Sequence, residues 1–204
     1  NISVIKVNIK GTSRNFKIKR NLESFPENIL ASLAVISNFF DLNNISNKFF
    51  FNYNLPPGRG DYKIIKFNKK KIHLIDESYN SNPLSLDFAL NNFNKLQRNS
   101  KRKIILLGDM LELGKFSKKL HLDAAKIVNK TNINRVYVYG KRITYTYNKI
   151  RPQKRGKILY SSKDVSNFLK NDIKDGEYLM VKGSNSTGLN EMMKKLKLGK
   201  INAI

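Results

Sequence analysis

Cysteine is absent from the 204 residues, which excludes a disulfide framework, thiolate zinc sites and cysteine nucleophiles. Histidine occurs only at His73 and His121, too far apart in sequence to form a ligand-spaced cluster. No Ser-His-Asp arrangement can be argued from the residue order. No apolar run approaches the ~18 residues of a membrane span, and the first residues carry no signal-peptide core. A soluble, cytoplasmic protein is expected. The phosphate-binding pattern G-x-x-x-x-G-K-[ST] is missing too, since Gly114-Lys115 is followed by Phe116 and lacks the upstream glycine. Acidic residues are scarce, 15 against 39 Lys+Arg, for a formal charge of +24. The chain opens on Asn1 rather than methionine, so a longer parent is expected.

A charge of +24 attracts any polyanion, whether nucleic acid, anionic membrane or nucleotide. The lysines, however, run from Lys6 to Lys200 with only short clusters such as Lys69-Lys70-Lys71 and Lys194-Lys195. Such runs are usually a solvated face or a hairpin turn. Lysine, asparagine and isoleucine dominate throughout, as a mutational bias toward A and T would produce. There is no Arg-rich arm, RNP-like aromatic strand or Cys/His finger. The hydrophobic share of 40% is too high for a disordered basic tail.

Periodicity divides the chain. Val7 and Ile9 alternate with polar residues, Gly11-Thr12-Ser13 supplies a turn, and Phe16 and Ile18 alternate on the return, as in a β-hairpin. Ile29, Leu33, Ile36 and Phe40 then mark one face of a helix that starts near Ser24 or Pro26. Leu55-Pro56-Pro57-Gly58-Arg59-Gly60 breaks all periodicity and reads as a hinge. Beyond it, strands are expected at Tyr62 to Phe67, Ile72 to Ile75, Lys103 to Leu107, Arg135 to Tyr139, Lys157 to Tyr160 and Glu177 to Val181. Helical faces fall at Leu86 to Phe93, Leu120 to Ile127, Val165 to Leu169 and Leu189 to Leu196. This alternation predicts an α/β fold, a Rossmann-like and mostly parallel sheet of about six strands.

Ligands of open α/β sheets bind beyond the carboxyl ends of the strands. Three polar loops follow apolar strands directly: Asp76 to Pro83, Gly108 to Gly114, and Lys182 to Ser186. Parallel strands would put all three on one rim. Asn82-Pro83 resembles a helix N-cap followed by proline at the first helical position, with exposed N–H groups that favour an anion. Asp76 stands where an acidic residue accepts from a ribose hydroxyl. Ser78, Tyr79 and Asn80 offer neutral hydrogen bonds, and Lys182 a point charge for carboxylate or phosphate. The plainer reading of Asp76 and Asn82 is that they cap turns. His73, within a strand, reads as structural, and His121 as packing or capping.

These loops resemble the Mur ligase family. Asp76 to Ser85 resembles its D-[DE]-S-Y-N-A-N-P-x-S signature, with Ser81 in place of alanine. Gly108 to Gly114 matches G-D-M-x-E-L-G, Val181 to Ser184 matches V-K-G-S, Gly58-Arg59 matches the G-R that opens the C-terminal domain, and His121 falls where the family carries a histidine. Glu27 to Ala34 resembles the family's H-N-x-x-N-A-L-A helix at the end of the central ATPase domain, with Glu27 for the histidine and Ala31 for the second asparagine. The resemblance therefore implies that residues 1–57 are the tail of the central ATP-binding domain and residues 58–204 the C-terminal domain.

The family uses ATP and Mg2+ to convert a carboxylate into an acyl phosphate, which an incoming amine attacks to form an amide. The nearest subfamily joins D-alanyl-D-alanine to UDP-N-acetylmuramoyl-tripeptide in peptidoglycan precursor synthesis. Carried over, the resemblance implies ATP contacts at Asn28, Arg59 and Asp76, with Arg59 on the phosphates and Asp76 on the ribose. Ser78, Tyr79, Asn80, Asn82, Asp109 and Lys182 would face substrate. The family's P-loop, magnesium ligands and modified lysine belong to upstream domains, so this chain is expected to carry no catalytic or metal residue and to be inactive alone. Two alternatives stand beside this reading: another Mur-type ligase with a different amino-acid substrate, and a basic non-catalytic α/β module that binds nucleic acid.

Overall fold

The computed structural model describes residues 2–19, 26–53, 56–96 and 101–199. Ser24 and Leu55 of the expected helix start and hinge lie outside them. The chain forms two compact units, Asn1–Pro56 and Pro57–Ile204.

In the first unit, β1 (Ile2–Ile9) and β2 (Thr12–Lys19) pair antiparallel with Ile9 opposite Thr12. The turn is therefore Lys10-Gly11, one step earlier than Gly11-Thr12-Ser13. Both residues have positive φ, 51° and 82°, which suits the twist of a two-residue hairpin. Helix α1 (Pro26–Ile36) buries Ile29 and Leu33 against Val7, Phe16 and Ile18. The helix stops at Ile36, and Phe40, expected on its apolar face, is 67% exposed.

In the second unit the described residues form a six-stranded sheet in the order β3-β4-β8-β5-β6-β7. The strands are β3 (Asp61–Phe67), β4 (Lys70–Glu77), β5 (Lys103–Gly108), β6 (Arg135–Tyr139), β7 (Arg155–Leu159) and β8 (Tyr178–Lys182). Edge strand β3 is antiparallel to β4 through a tight turn at Asn68-Lys69, and every other pairing is parallel. Helices α2 (Pro83–Lys95), α3 (Ser117–Lys130), the single turn α4 (Thr144–Tyr147) and α5 (Ser162–Asn167) connect β4 to β5, β5 to β6, β6 to β7 and β7 to β8, and α6 (Leu189–Lys197) follows β8. α4 has too few apolar residues to show in the sequence pattern. The helix expected near Val165 to Leu169 ends at Asn167 and continues as a wider turn over Phe168–Asp172.

Alternate residues of each central strand enter opposite cores, as the two-residue period of a strand requires. Ile104, Leu106, Leu179 and Val181 pack with Val165, Phe168, Leu189 and Met193 of α5, its continuation and α6. Ile105, Leu107, Val136 and Met180 pack with Leu86, Leu90, Phe93 and Ala124 of α2 and α3. β8 is buried along its whole length. Each such side chain contributes about 1.5–3 kcal/mol relative to exposure. Both faces are filled, so what remains open for chemistry is the rim. Among the described residues, no helix is long and apolar enough to cross a membrane.

Candidate functional site

The carboxyl ends of β4, β5 and β8 are neighbours in register, with Glu77 and Leu107 both opposite Lys182. Gly108 and Gly183 meet at this rim, and a Cβ on Gly183 would stand 3.1 Å from Gly108 Cα. The lack of side chains there lets the two following loops leave the sheet side by side.

The first loop is locked from inside. Asp76 is 1% exposed, and its Oδ1 accepts from Ser78 N–H at 3.0 Å and from Ser78 Oγ at 2.5 Å. Its Oδ2 faces Lys197 Nζ at 2.5 Å. Ser78 is fully buried and spends its hydroxyl proton inward, while Tyr79 and Asn80 are exposed. Asn82 caps α2, accepting from Ser85 N–H, and Ser85 Oγ accepts from Asn82 N–H. The turn before β3 is tied to this loop. Gly58 N–H donates to Asp61 Oδ1, Tyr79 N–H to the Gly58 carbonyl, and Gly60 N–H to the Asp76 carbonyl. Arg59 between them is exposed, its guanidinium 4.4 Å from the Tyr79 ring centroid.

Lys182 is turned into the protein. It is 2% exposed, donates to the Asn80 carbonyl at 3.0 Å and lies 3.6 Å from Glu77 Oε2. Burial lowers the Lys182 ammonium from the ordinary lysine range, against the pull of Glu77, and burial raises Glu77 against the pull of Lys182. The lysine braces the first loop on β8.

Ser184 links the loops. Its hydroxyl accepts from Leu111 N–H at 2.9 Å and donates to the Ser81 carbonyl at 3.3 Å, while its own N–H donates to the Asp109 carbonyl. Its place in V-K-G-S was visible in the sequence, but its partners lie in two distant loops. Asp109 is partly exposed and Oδ1 accepts from Ile143 N–H at 2.7 Å. Gly140 makes room for that carboxylate, since a Cβ there would sit 2.6 Å from Oδ1. Ser184→Ala, which removes both hydroxyl bonds, should cost about 1–2 kcal/mol of stability in urea unfolding. A change below a few tenths would mean the stitch carries little.

His121 holds the second loop from beneath. It is fully buried, and its Nε2 accepts from Met110 N–H at 3.1 Å, so Nδ1 carries the proton donated to the Ser117 carbonyl at 2.7 Å. Burial lowers its pKa from 6.5. The unfolded chain thus takes up a proton near 6.5 that the folded imidazole refuses, so this contribution is complete above pH 6.5 and is lost as the pH falls below it. Urea midpoints should drop from pH 7.5 to 5.5 in the parent and less in His121→Gln; equal drops would contradict it.

Asp109, Tyr139, Lys141, Tyr160, Ser186 and Thr187 line a cavity of about 290 Å³ beyond β5, β6 and β8. One carboxylate, one ammonium and several hydroxyls suit a small zwitterion. Asp76, Ser78, Tyr79, Asn80, Asn82, Asp109 and Lys182 thus share one rim with Arg59. Asn28 belongs to the first unit, exposed on α1. The sequence reading missed Asp61, Glu77, Ser184 and Lys197. Among the described residues, no group of three or more His, Cys, Asp or Glu is placed to hold a metal ion.

A family model for the Mur ligase, glutamate ligase domain, matches residues 63–185. The UDP-N-acetylmuramoyl-tripeptide–D-alanyl-D-alanine ligase of Bacillus subtilis is 27% identical over 128 residues, 61% of this chain and 28% of that protein. The ligase of the same name from Buchnera aphidicola (of Acyrthosiphon pisum) is 34% identical over 128 residues, 60% of this chain and 26% of that protein. The chain therefore spans little more than a quarter of the length of these relatives. The crystal structure of a MurF ligase from Thermotoga maritima in complex with ADP shares the fold, with a TM-score of 0.72 at 18% identity over 99% of this chain and 44% of that one. The family match takes in the first two signature loops, most of the third and more than half of the residues, and the chain belongs to the Mur ligase family.

Proposed function

We propose that this chain is the C-terminal portion of an ATP-dependent ligase that joins D-alanyl-D-alanine to UDP-N-acetylmuramoyl-tripeptide in cytoplasmic peptidoglycan precursor synthesis. The observation that carries the reading is the rim itself, where three family signature loops are bonded into one surface through Ser184 and Lys182. The names of the curated relatives supply the substrates. Residues 1–57 would be the tail of the central ATP-binding domain.

In the complete enzyme, ATP phosphorylates the tripeptide carboxylate, and the dipeptide amine displaces phosphate from the acyl phosphate. Arg59, exposed beside Tyr79, is the cation on this rim that suits ATP phosphates. Asp76 Oδ1 is taken by Ser78, whereas Oδ2 is ion-paired with Lys197 but accepts no hydrogen bond, and it is the oxygen that could receive a ribose hydroxyl. At 1% exposure that contact requires the loop to open. Asp109 and Lys141 fit the ammonium and carboxylate of the dipeptide in their shared cavity. Tyr79, Asn80 and Asn82 present exposed polar groups to the acceptor, while Ser78 and Lys182 act by holding the loop. Magnesium would be held by the upstream domains, where the family resemblance puts its ligands.

In the complete ligase, Asp109→Asn should raise KM for D-alanyl-D-alanine about 10-fold or more, through the lost charge-assisted bond, and leave KM for ATP nearly unchanged. An unchanged dipeptide KM would remove the cavity from the account.

A further inference from the structure

Asp61 of β3 and Asp76 of β4 are directly opposite in the antiparallel register. Like charges so placed repel, and one of these two is almost fully buried. The sheet holds the pair because a cation from another element enters between them. Lys197, in the last turn of α6, reaches both, as an ion pair with Asp61 Oδ2 and at 2.5 Å from Asp76 Oδ2. The lysine side chain is 13% exposed.

Each carboxylate uses its other oxygen on the site. Asp61 Oδ1 accepts from Gly58 N–H at 2.6 Å and so shapes the turn that presents Arg59. Asp76 Oδ1 holds Ser78, and its carbonyl receives Gly60 N–H. One ammonium therefore fixes both flanks of Arg59. The end of α6 is itself held over β3, where Lys63 Nζ donates to the Lys197 carbonyl at 3.2 Å. Burial lowers the Lys197 pKa, but the bonds to Asp61 and Asp76 outweigh it and the net shift is upward, so the cation persists.

We infer that Lys197 is a positioning residue for nucleotide use: by bridging Asp61 and Asp76 it makes the Arg59 turn and the Asp76 loop one rigid piece. The inference rests on the function proposed above for the rim. It differs from a mere fold contact, because α6 is anchored independently by Leu189, Met193 and Leu196 in the core.

Two measurements on Lys197→Met and Lys197→Arg decide it. In this chain, amide NMR shifts of Gly58, Arg59 and Gly60 should move in Lys197→Met and return in Lys197→Arg, with amides of β6 and β7 unmoved. In the complete ligase, KM for ATP should rise about 10-fold in Lys197→Met with kcat changed less than about twofold, KM for the dipeptide unchanged and Lys197→Arg restoring ATP use. A lowered KM for ATP would show that Lys197 competes with nucleotide for Asp76, and overturn the inference. Unmoved glycine amides, or kcat and every KM changing together, would overturn it as well. If the parental complete ligase forms no amide, the functional reading fails instead, and the amide shifts alone then decide whether the bridge orders the turn.

Discussion

The isolated 204-residue chain will neither hydrolyse ATP nor form an amide above background. Phosphoryl transfer needs the β- and γ-phosphates cradled and their developing charge neutralised. The chain has no G-x-x-x-x-G-K-[ST] loop to cradle them. Arg59 on an exposed turn and Asp76 in a locked loop, the nucleotide contacts proposed above, would complete such a cradle and not replace it. Loss of a unit that essential lowers rates by several orders of magnitude, roughly 10⁴-fold or more. Phosphate release should be followed with acceptor and dipeptide present, first for the chain alone and then with the P-loop-bearing domains supplied. Turnover by the chain alone would mean that it holds a phosphate site of its own.

Lys182→Met should be the most damaging single change to stability at the rim. Methionine fills the space of the lysine stem but leaves the Asn80 carbonyl without its donor and Glu77 without its cation. Removing one partner of a buried pair costs about 3–5 kcal/mol. Glu77 retains 21% exposure, so the loss here should fall near the lower end, about 3 kcal/mol. Glu77→Gln in the same chain should recover part of it, because it removes the stranded charge. Urea unfolding of the parent, both single variants and the double variant measures this. Additive losses, or a Lys182→Met loss below about 0.5 kcal/mol, would show that the lysine does not brace the loop.

The sheet was legible because its central strands are buried on both faces. Ile104 to Leu107 is an uninterrupted apolar run, and the glycine and polar residues after it mark where the strand leaves the core. The Asn82 cap was legible for a local reason: cap, proline and Ser85 lie within four residues. The Lys197 bridge was not, because a charged residue in a last helical turn looks like any solvated lysine until tertiary structure sets α6 over β3. Half of it could have been found. With the turn placed at Asn68-Lys69 instead of in the lysine run, counting back along both strands puts Asp61 opposite Asp76. Two facing aspartates then demand a cation from elsewhere. Phe40 misled for the opposite reason, since helical spacing continued past the point where α1 stops at Ile36.

Product formation by the complete ligase bearing this chain tests the central claim most directly. UDP-N-acetylmuramoyl-tripeptide, ATP, magnesium and D-alanyl-D-alanine would be incubated with it and the product identified by mass. The account predicts a tripeptide acceptor extended by the dipeptide, one ADP and one phosphate per amide, and loss of about 10²-fold or more in kcat/KM for ATP when Arg59→Ala removes the cation proposed to face the phosphates. No extended acceptor from the complete enzyme, or full activity without Arg59, would contradict it.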